Sequence, residues 1–86
     1  MVKRNSIAGS LESNDILVEI FPDDKGRKIE LESPVKAQFG DEILEVVNEV
    51  LDEFNLTNIH VILKDQGALN YTIKARLKTA ILRGIE

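Results

Sequence analysis

No cysteine occurs anywhere in these 86 residues, and that absence sets the terms of folding. Without disulfides or thiolate metal sites, a short chain must be held together by an apolar core. The length leaves room for one small domain, burying about 60% of the unfolded chain's surface, and none for a second. Core material is available: 43% of residues are hydrophobic and 30% charged, the balance of a soluble globular protein and not of a disordered or membrane chain. The lack of thiols fits a reducing compartment. The basic start Met1-Val2-Lys3-Arg4-Asn5-Ser6 leads into no apolar run of signal-peptide or membrane-spanning length. The expected location is the cytoplasm.

The formal net charge of -4 disfavours general binding to nucleic acid, because the molecule as a whole repels phosphate polyanions. The charge is uneven. Residues 64–86 hold five Lys/Arg and two Asp/Glu, whereas residues 1–63 hold six and thirteen. A basic C-terminal quarter can orient docking on a partner or simply form a solvated helix face.

Periodicity gives the elements. Ile16, Val18 and Ile20 alternate with Leu17, Glu19 and Phe21, which predicts a strand with one fully buried face. Pro22-Asp23-Asp24-Lys25-Gly26 gathers turn formers. Gly26 can adopt the positive φ of a hairpin loop, so a hairpin is expected to a second strand in which Ile29 and Leu31 alternate with Lys28, Glu30 and Glu32. Adjacent acids Asp23 and Asp24 read as part of that turn, since they lack the further oxygen ligands of a calcium loop.

Ser33-Pro34 predicts a helix start, with Ser as N-cap and Pro at the first helical position. Val35, Phe39, Ile43, Val46, Val47, Val50 and Phe54 then recur at helical spacing as a buried stripe. Gly40 implies a kink or a regular helix beginning near Asp41. The acids Asp41, Glu42, Glu45, Glu49, Asp52 and Glu53 fall mostly on the opposite, solvated side. After the break at Asn55-Leu56-Thr57, Asn58 to Lys64 is β-branched and apolar on both faces, as an interior strand should be. His60, the only histidine, has no serine partner or orienting carboxylate near it in sequence and reads as a strand residue packed beside the helices or facing water. Asp65-Gln66-Gly67 predicts a turn. Ala68 to about Arg83 predicts a second helix with Leu69, Ile73, Leu77, Ala80 and Ile81 inward.

The elements thus run β-β-α-β-α, an α+β two-layer sandwich with both helices on one face of a mixed or antiparallel sheet. Strand order is left open, and the opening residues read as a mobile tail. No catalytic pair, metal-ligand set or glycine-rich phosphate loop appears.

One stretch stands outside this scaffold. Ala8-Gly9-Ser10-Leu11-Glu12-Ser13-Asn14-Asp15 forms a small, acid-flanked serine loop before the most apolar run. A hydroxyl in such a loop can be a covalent attachment point, although most loop serines only satisfy backbone groups. That run, Gln38-Phe39-Gly40-Asp41, and Asp65-Gln66-Gly67-Ala68-Leu69 through Ala75-Arg76-Leu77 together resemble the acyl carrier (gamma) subunit of citrate lyase, in order and over nearly the whole chain.

The resemblance implies a single acyl-carrier domain over residues 1–86, with 1–7 as a flexible tail. It implies a phosphoribosyl-dephospho-coenzyme A group carried on Ser13, the serine of Leu11-Glu12-Ser13. It also implies a non-catalytic role. The partners would be the citrate lyase alpha and beta subunits, which exchange acetyl for citryl on the arm and cleave citrate to oxaloacetate and acetate, and the transferase that installs the arm. Glu12, Asn14 and Asp15 would lie where that transferase recognises the loop, or would keep the loop solvated and open. Lys74, Arg76 and Lys78 would contact phosphates or a partner, or serve solubility. Two departures from the family pattern stand out: Ser10, where Thr is common, makes it a rival hydroxyl, and Asn70 replaces a frequent Asp. Carriers of citramalate lyase or malonate decarboxylase, and an unmodified interaction domain, are the alternatives.

Overall fold

The computed structural model describes residues 1–86. The elements are β1 (Ser6–Gly9), β2 (Ile16–Pro22), β3 (Arg27–Glu32), α1 (Lys36–Glu53), β4 (Ile59–Asp65) and α2 (Asn70–Ile85). They build one mixed sheet in the order β1-β2-β4-β3. β1 pairs antiparallel with β2, β2 antiparallel with β4, and β3 parallel with β4. The expected α+β class and two-layer arrangement hold, with one strand more than the sequence revealed.

The hairpin expected across Pro22–Gly26 does not form, because β4 inserts between β2 and β3. The physical reason is apolarity. Ile59, Val61 and Leu63 are fully buried on the face of β4 toward the helices, and Ile62 lies half-buried on the other face, so β4 gains most from a central place. β3 exposes Lys28, Glu30 and Glu32 and suits an edge, where charge discourages further strand pairing. Parallel pairing of β3 with β4 requires a crossover, which α1 supplies. Gly26 does take a positive φ of 90°. Its turn is tied to the start of β4 instead, through Gly26 N–H to Asn58 Oδ1 at 2.8 Å and Ile59 N–H to the Gly26 carbonyl at 3.1 Å.

The opening residues, expected to be a mobile tail, are docked on the body of the molecule. Val2 is 4% exposed within the core, the backbone N–H groups of Lys3 and Arg4 donate to the Gly84 carbonyl, and Ser6 and Ile7 begin β1. Gly84 permits this approach: an added Cβ would lie 2.8 Å from Ile20 Cδ1 and 3.3 Å from the Arg4 carbonyl oxygen.

Both helices cover one sheet face. Ile16, Val18, Ile20, Ile59, Val61 and Leu63 pack there against Val47, Val50 and Leu51 of α1 and Ile73, Leu77 and Ile81 of α2, all fully buried in one cluster. Burial of each such side chain stabilises the fold by about 1.5–3 kcal/mol before chain entropy is subtracted. Three residues assigned to the core by periodicity lie outside it: Val35 is half-buried, Phe39 is 51% exposed and Leu69 61%. Each stands at a helix start, beyond the reach of the sheet.

α1 begins at Lys36 and runs through Gly40, with Val35 at the N-cap position and no side-chain cap. The expected N-cap, Ser33, instead shapes the turn before the helix: its Oγ accepts from Val35 N–H at 3.2 Å and donates to Asp65 Oδ2 at 2.7 Å. α2 likewise starts later than expected, at Asn70. The acids of α1 lie on its exposed side, where Glu49 meets Lys74 at 3.7 Å and Glu53 meets Lys78 at 3.3 Å across the helix pair.

His60 faces away from the helices, half-exposed on the open side of the sheet. Its Nε2 lies 2.6 Å from Glu30 Oε2, a carboxylate brought by β3 from 30 residues away, and holds Glu30 below the usual carboxylate range. No helix is long and apolar enough to cross a membrane.

Candidate functional site

The serine loop is the turn of a hairpin. Gly9 closes β1 opposite Leu17 of β2, and residues 10–15 connect them. Gly9 has φ 90°, and a Cβ there would fall 1.8 Å from the Ile16 carbonyl oxygen. Only glycine lets the two strands come this close at the loop's base. Within the loop, Asp15 N–H donates to the Glu12 carbonyl at 3.1 Å. Asn14 has φ 66°, the positive value needed at the third position of such a turn and one that Asn tolerates. Ser13 therefore stands at the second position, exposed.

Beneath it the loop is braced. Ser10 Oγ donates to Asp15 Oδ2 at 2.7 Å and accepts from Glu12 N–H at 3.2 Å. Asp15 also accepts from Ile16 N–H at 2.7 Å and takes two hydrogen bonds from Arg76 of α2, Nε to Oδ1 at 3.0 Å and Nη2 to Oδ2 at 3.1 Å. The Arg76 hydrogen bonds, then those of Ser10 and the Ile16 amide, lower the Asp15 pKa to about 2. Asp15 is thus ionised throughout the neutral range and saturated with donors.

A second set of bonds fixes the loop to the β4–α2 turn. Asn14 N–H donates to the Gln66 carbonyl at 2.8 Å, and Gln66 N–H to the Asp15 carbonyl at 2.9 Å. That turn is organised by Asp65, 1% exposed. Its carboxylate accepts from Gly67 N–H at 3.1 Å, Ala68 N–H at 2.8 Å and Ser33 Oγ. The starts of both helices are so gathered at the same end of the sheet as Ser13.

The residues singled out by sequence divide cleanly. Glu12, Ser13 and Asn14 are exposed, while Asp15 is half-buried in the brace. Arg76 is committed to Asp15, and Lys74 and Lys78 to the acids of α1. Ser10, the rival hydroxyl, spends its proton on Asp15. Asn70 donates to Glu42 at 3.2 Å. Gly9 and Asp65 escaped notice as site residues. Asp65-Gln66-Gly67 carries the local signature of a side chain bonding two residues ahead, but nothing local announces its bond to Ser33.

Comparison with known proteins agrees with the resemblance. Residues 3–84 match the acyl carrier family model described as malonate decarboxylase delta subunit (MdcD). The citrate lyase acyl carrier protein of Treponema denticola is 46% identical over 85 residues, 99% of this chain and 97% of the relative. That of Halothermothrix orenii is 39% identical over 82 residues, 95% and 87% of the two chains. That of Escherichia fergusonii is 42% identical over 84 residues, 96% and 87%. A chain from the crystal structure of a Pseudomonas malonate decarboxylase hetero-tetramer in complex with malonate shares the fold, with TM-score 0.80 over 94% of this chain and 84% of that chain at 18% identity. With at least 95% of its length matched by such relatives, the chain belongs to the family of acyl carrier proteins typified by those of citrate lyase, whose members carry acyl groups and are not themselves catalysts.

Proposed function

We propose that this chain is the acyl carrier of a cytoplasmic citrate lyase, with phosphoribosyl-dephospho-coenzyme A joined to Ser13 Oγ through a phosphodiester. The observation that carries the reading is the contrast between the loop's two serines. Ser10 is consumed by the brace, whereas Ser13 is exposed and takes no part in it. The group fits the site, because a phosphodiester asks of the protein only an accessible hydroxyl on a firm base. When bound, the arm supplies a terminal thiol able to form a thioester.

Attachment joins Ser13 Oγ to the phosphorus of an activated phosphate ester of the nucleotide. The bond to the leaving phosphate oxygen breaks with its electron pair, and the hydroxyl proton passes to a base of the installing transferase. Asp15 cannot serve as that base, since it is saturated and strongly acidic. Thereafter the chain's own residues do three things. The hairpin holds Ser13 outside the sheet. Arg76, Asp15 and Ser10 keep the base of the tether from moving. The body of the molecule presents the tether to the alpha and beta subunits at high effective concentration.

The test is peptide-resolved intact mass on material from the native host. The expected result is a mass increase of one nucleotide-containing arm on the peptide holding Ser13, lost in Ser13→Ala and retained in Ser10→Ala. Unmodified chain in a working lyase complex, or an increase that survives Ser13→Ala, overturns the proposal. The family model's malonate decarboxylase description favours a second cargo. Reconstitution with citrate lyase subunits or malonate decarboxylase subunits separates the two.

A further inference from the structure

Beside the serine loop, between the starts of α1 and α2, lies an open groove of about 530 Å³. Its walls include Val35, Phe39, Ile43, Ala68, Leu69 and Tyr71. Three of these are the exposed aromatic and aliphatic side chains Phe39 at 51%, Leu69 at 61% and Tyr71 at 72%. A cluster of large apolar groups left in water marks a binding surface more often than chance. We propose that this groove is the resting site of the arm's own distal end, the uncharged, amide-linked chain that ends in the thiol or its acyl thioester. The inference rests on the attachment of the arm at Ser13.

Three observations choose this occupant. The groove adjoins the serine loop: Asn14, the residue after Ser13, bonds the Gln66 carbonyl, and its Oδ1 would lie 3.6 Å from a Cβ on the groove residue Gly67. The charge excludes the other end of the arm, because Glu42 and Asp65 line the same groove and repel phosphates, while the distal chain carries no charge. The shape suits a weak guest, because a tether attached next door raises the local concentration to roughly millimolar. Millimolar intrinsic affinity then fills the site about half the time. An open groove with that affinity also releases its guest when a partner's active site competes for the thiol, as a carrier requires.

Two experiments test this. In the first, isotope-labelled carrier whose arm has been verified at Ser13 by mass is examined by NMR. The expected result is a set of nuclear Overhauser contacts from the arm's geminal methyl groups to the rings of Phe39 and Tyr71. These contacts vanish in Phe39→Ala/Tyr71→Ala, and alkylation of the thiol by a water-soluble maleimide speeds up about twofold as a groove filled half the time is lost. Both side chains are exposed, so the variant should fold, and its amide spectrum checks that. In the second, free pantetheine is titrated into unmodified chain, with saturable shifts expected at Phe39, Leu69 and Tyr71 in the millimolar range. A verified arm with no contact to the groove and unaltered alkylation overturns the inference while leaving attachment at Ser13 intact. Shifts in the groove that appear only when a lyase subunit is added also overturn it, and assign the surface to partner docking. Absence of any arm on Ser13 instead defeats the functional reading itself.

Discussion

Arg76 and Asp15, 61 residues apart, meet through two parallel hydrogen bonds of 3.0 and 3.1 Å, and this fork joins α2 to the base of the serine loop. A bidentate guanidinium–carboxylate pair fixes orientation as well as distance. It places the loop on a helix that is itself packed into the core through Ile73, Leu77 and Ile81. The rigidity of the serine loop is therefore borrowed from the interior.

This pair should make stability depend on pH in a defined direction. The Asp15 carboxyl is lowered from 3.8 to about 2 in the folded state. A depressed carboxyl stabilises the fold above the unfolded-state value and loses that contribution as pH falls through the folded-state value. Urea midpoints of the parent and Asp15→Asn should differ most above about pH 5 and converge toward pH 2. A gap that stays constant across that range would contradict the role given to the ionised carboxylate.

Gly9 should be the least replaceable residue of the loop. Gly9→Ala sets a methyl 1.8 Å from the Ile16 carbonyl oxygen at a φ of 90°. Destabilisation should exceed about 1 kcal/mol, and modification of Ser13 should slow as the hairpin base is pushed open. Gly26→Ala is the control: it has the same φ of 90° but open space around it. It should cost less and leave modification unchanged.

The Ser33–Asp65 bond predicts strong coupling between two turns that are distant in sequence. Ser33→Ala should cost on the order of 1 kcal/mol. Asp65→Ala, which also removes the acceptor of the Gly67 and Ala68 amides, should cost more, about 1–3 kcal/mol. In the double variant the effect of Ser33→Ala should shrink to what its bond from Val35 N–H contributes, and chemical denaturation of the four species reads this directly.

The Lys74–Glu49 and Lys78–Glu53 pairs, at 3.7 and 3.3 Å with all four side chains substantially exposed, should contribute little. Double-mutant cycles should give about 0.2–1 kcal/mol per pair, shrinking as salt is added. Coupling that vanishes only in arm-bearing protein would show that the lysines have exchanged the acids for the arm's phosphates.

By itself the sequence determined five of the six elements and the motif. Alternation made a strand of Ile16 to Phe21, three-and-four spacing made a helix of Ile43 to Val50, and the apolar character of Ile59 to Leu63 on both faces required an interior strand. These are local properties, written in the period of the side chains. The Leu11-Glu12-Ser13 segment likewise carried the family in its residues.

Tertiary structure alone decided the strand order, the docking of the N-terminus and the partners of the charged groups. Each depends on contacts between residues far apart in sequence. β4 displaced β3 from β2 because burying Ile59, Val61 and Leu63 at the centre of the sheet outweighs the convenience of a short turn. Ser6–Gly9 became an edge strand because Gly84 lets the chain approach α2, and the tail's own composition gives no sign of that. Ser10 and Ser13 look equivalent in sequence. They differ in the folded protein because Arg76, more than sixty residues away, draws Asp15 inward, and Asp15 takes Ser10 with it.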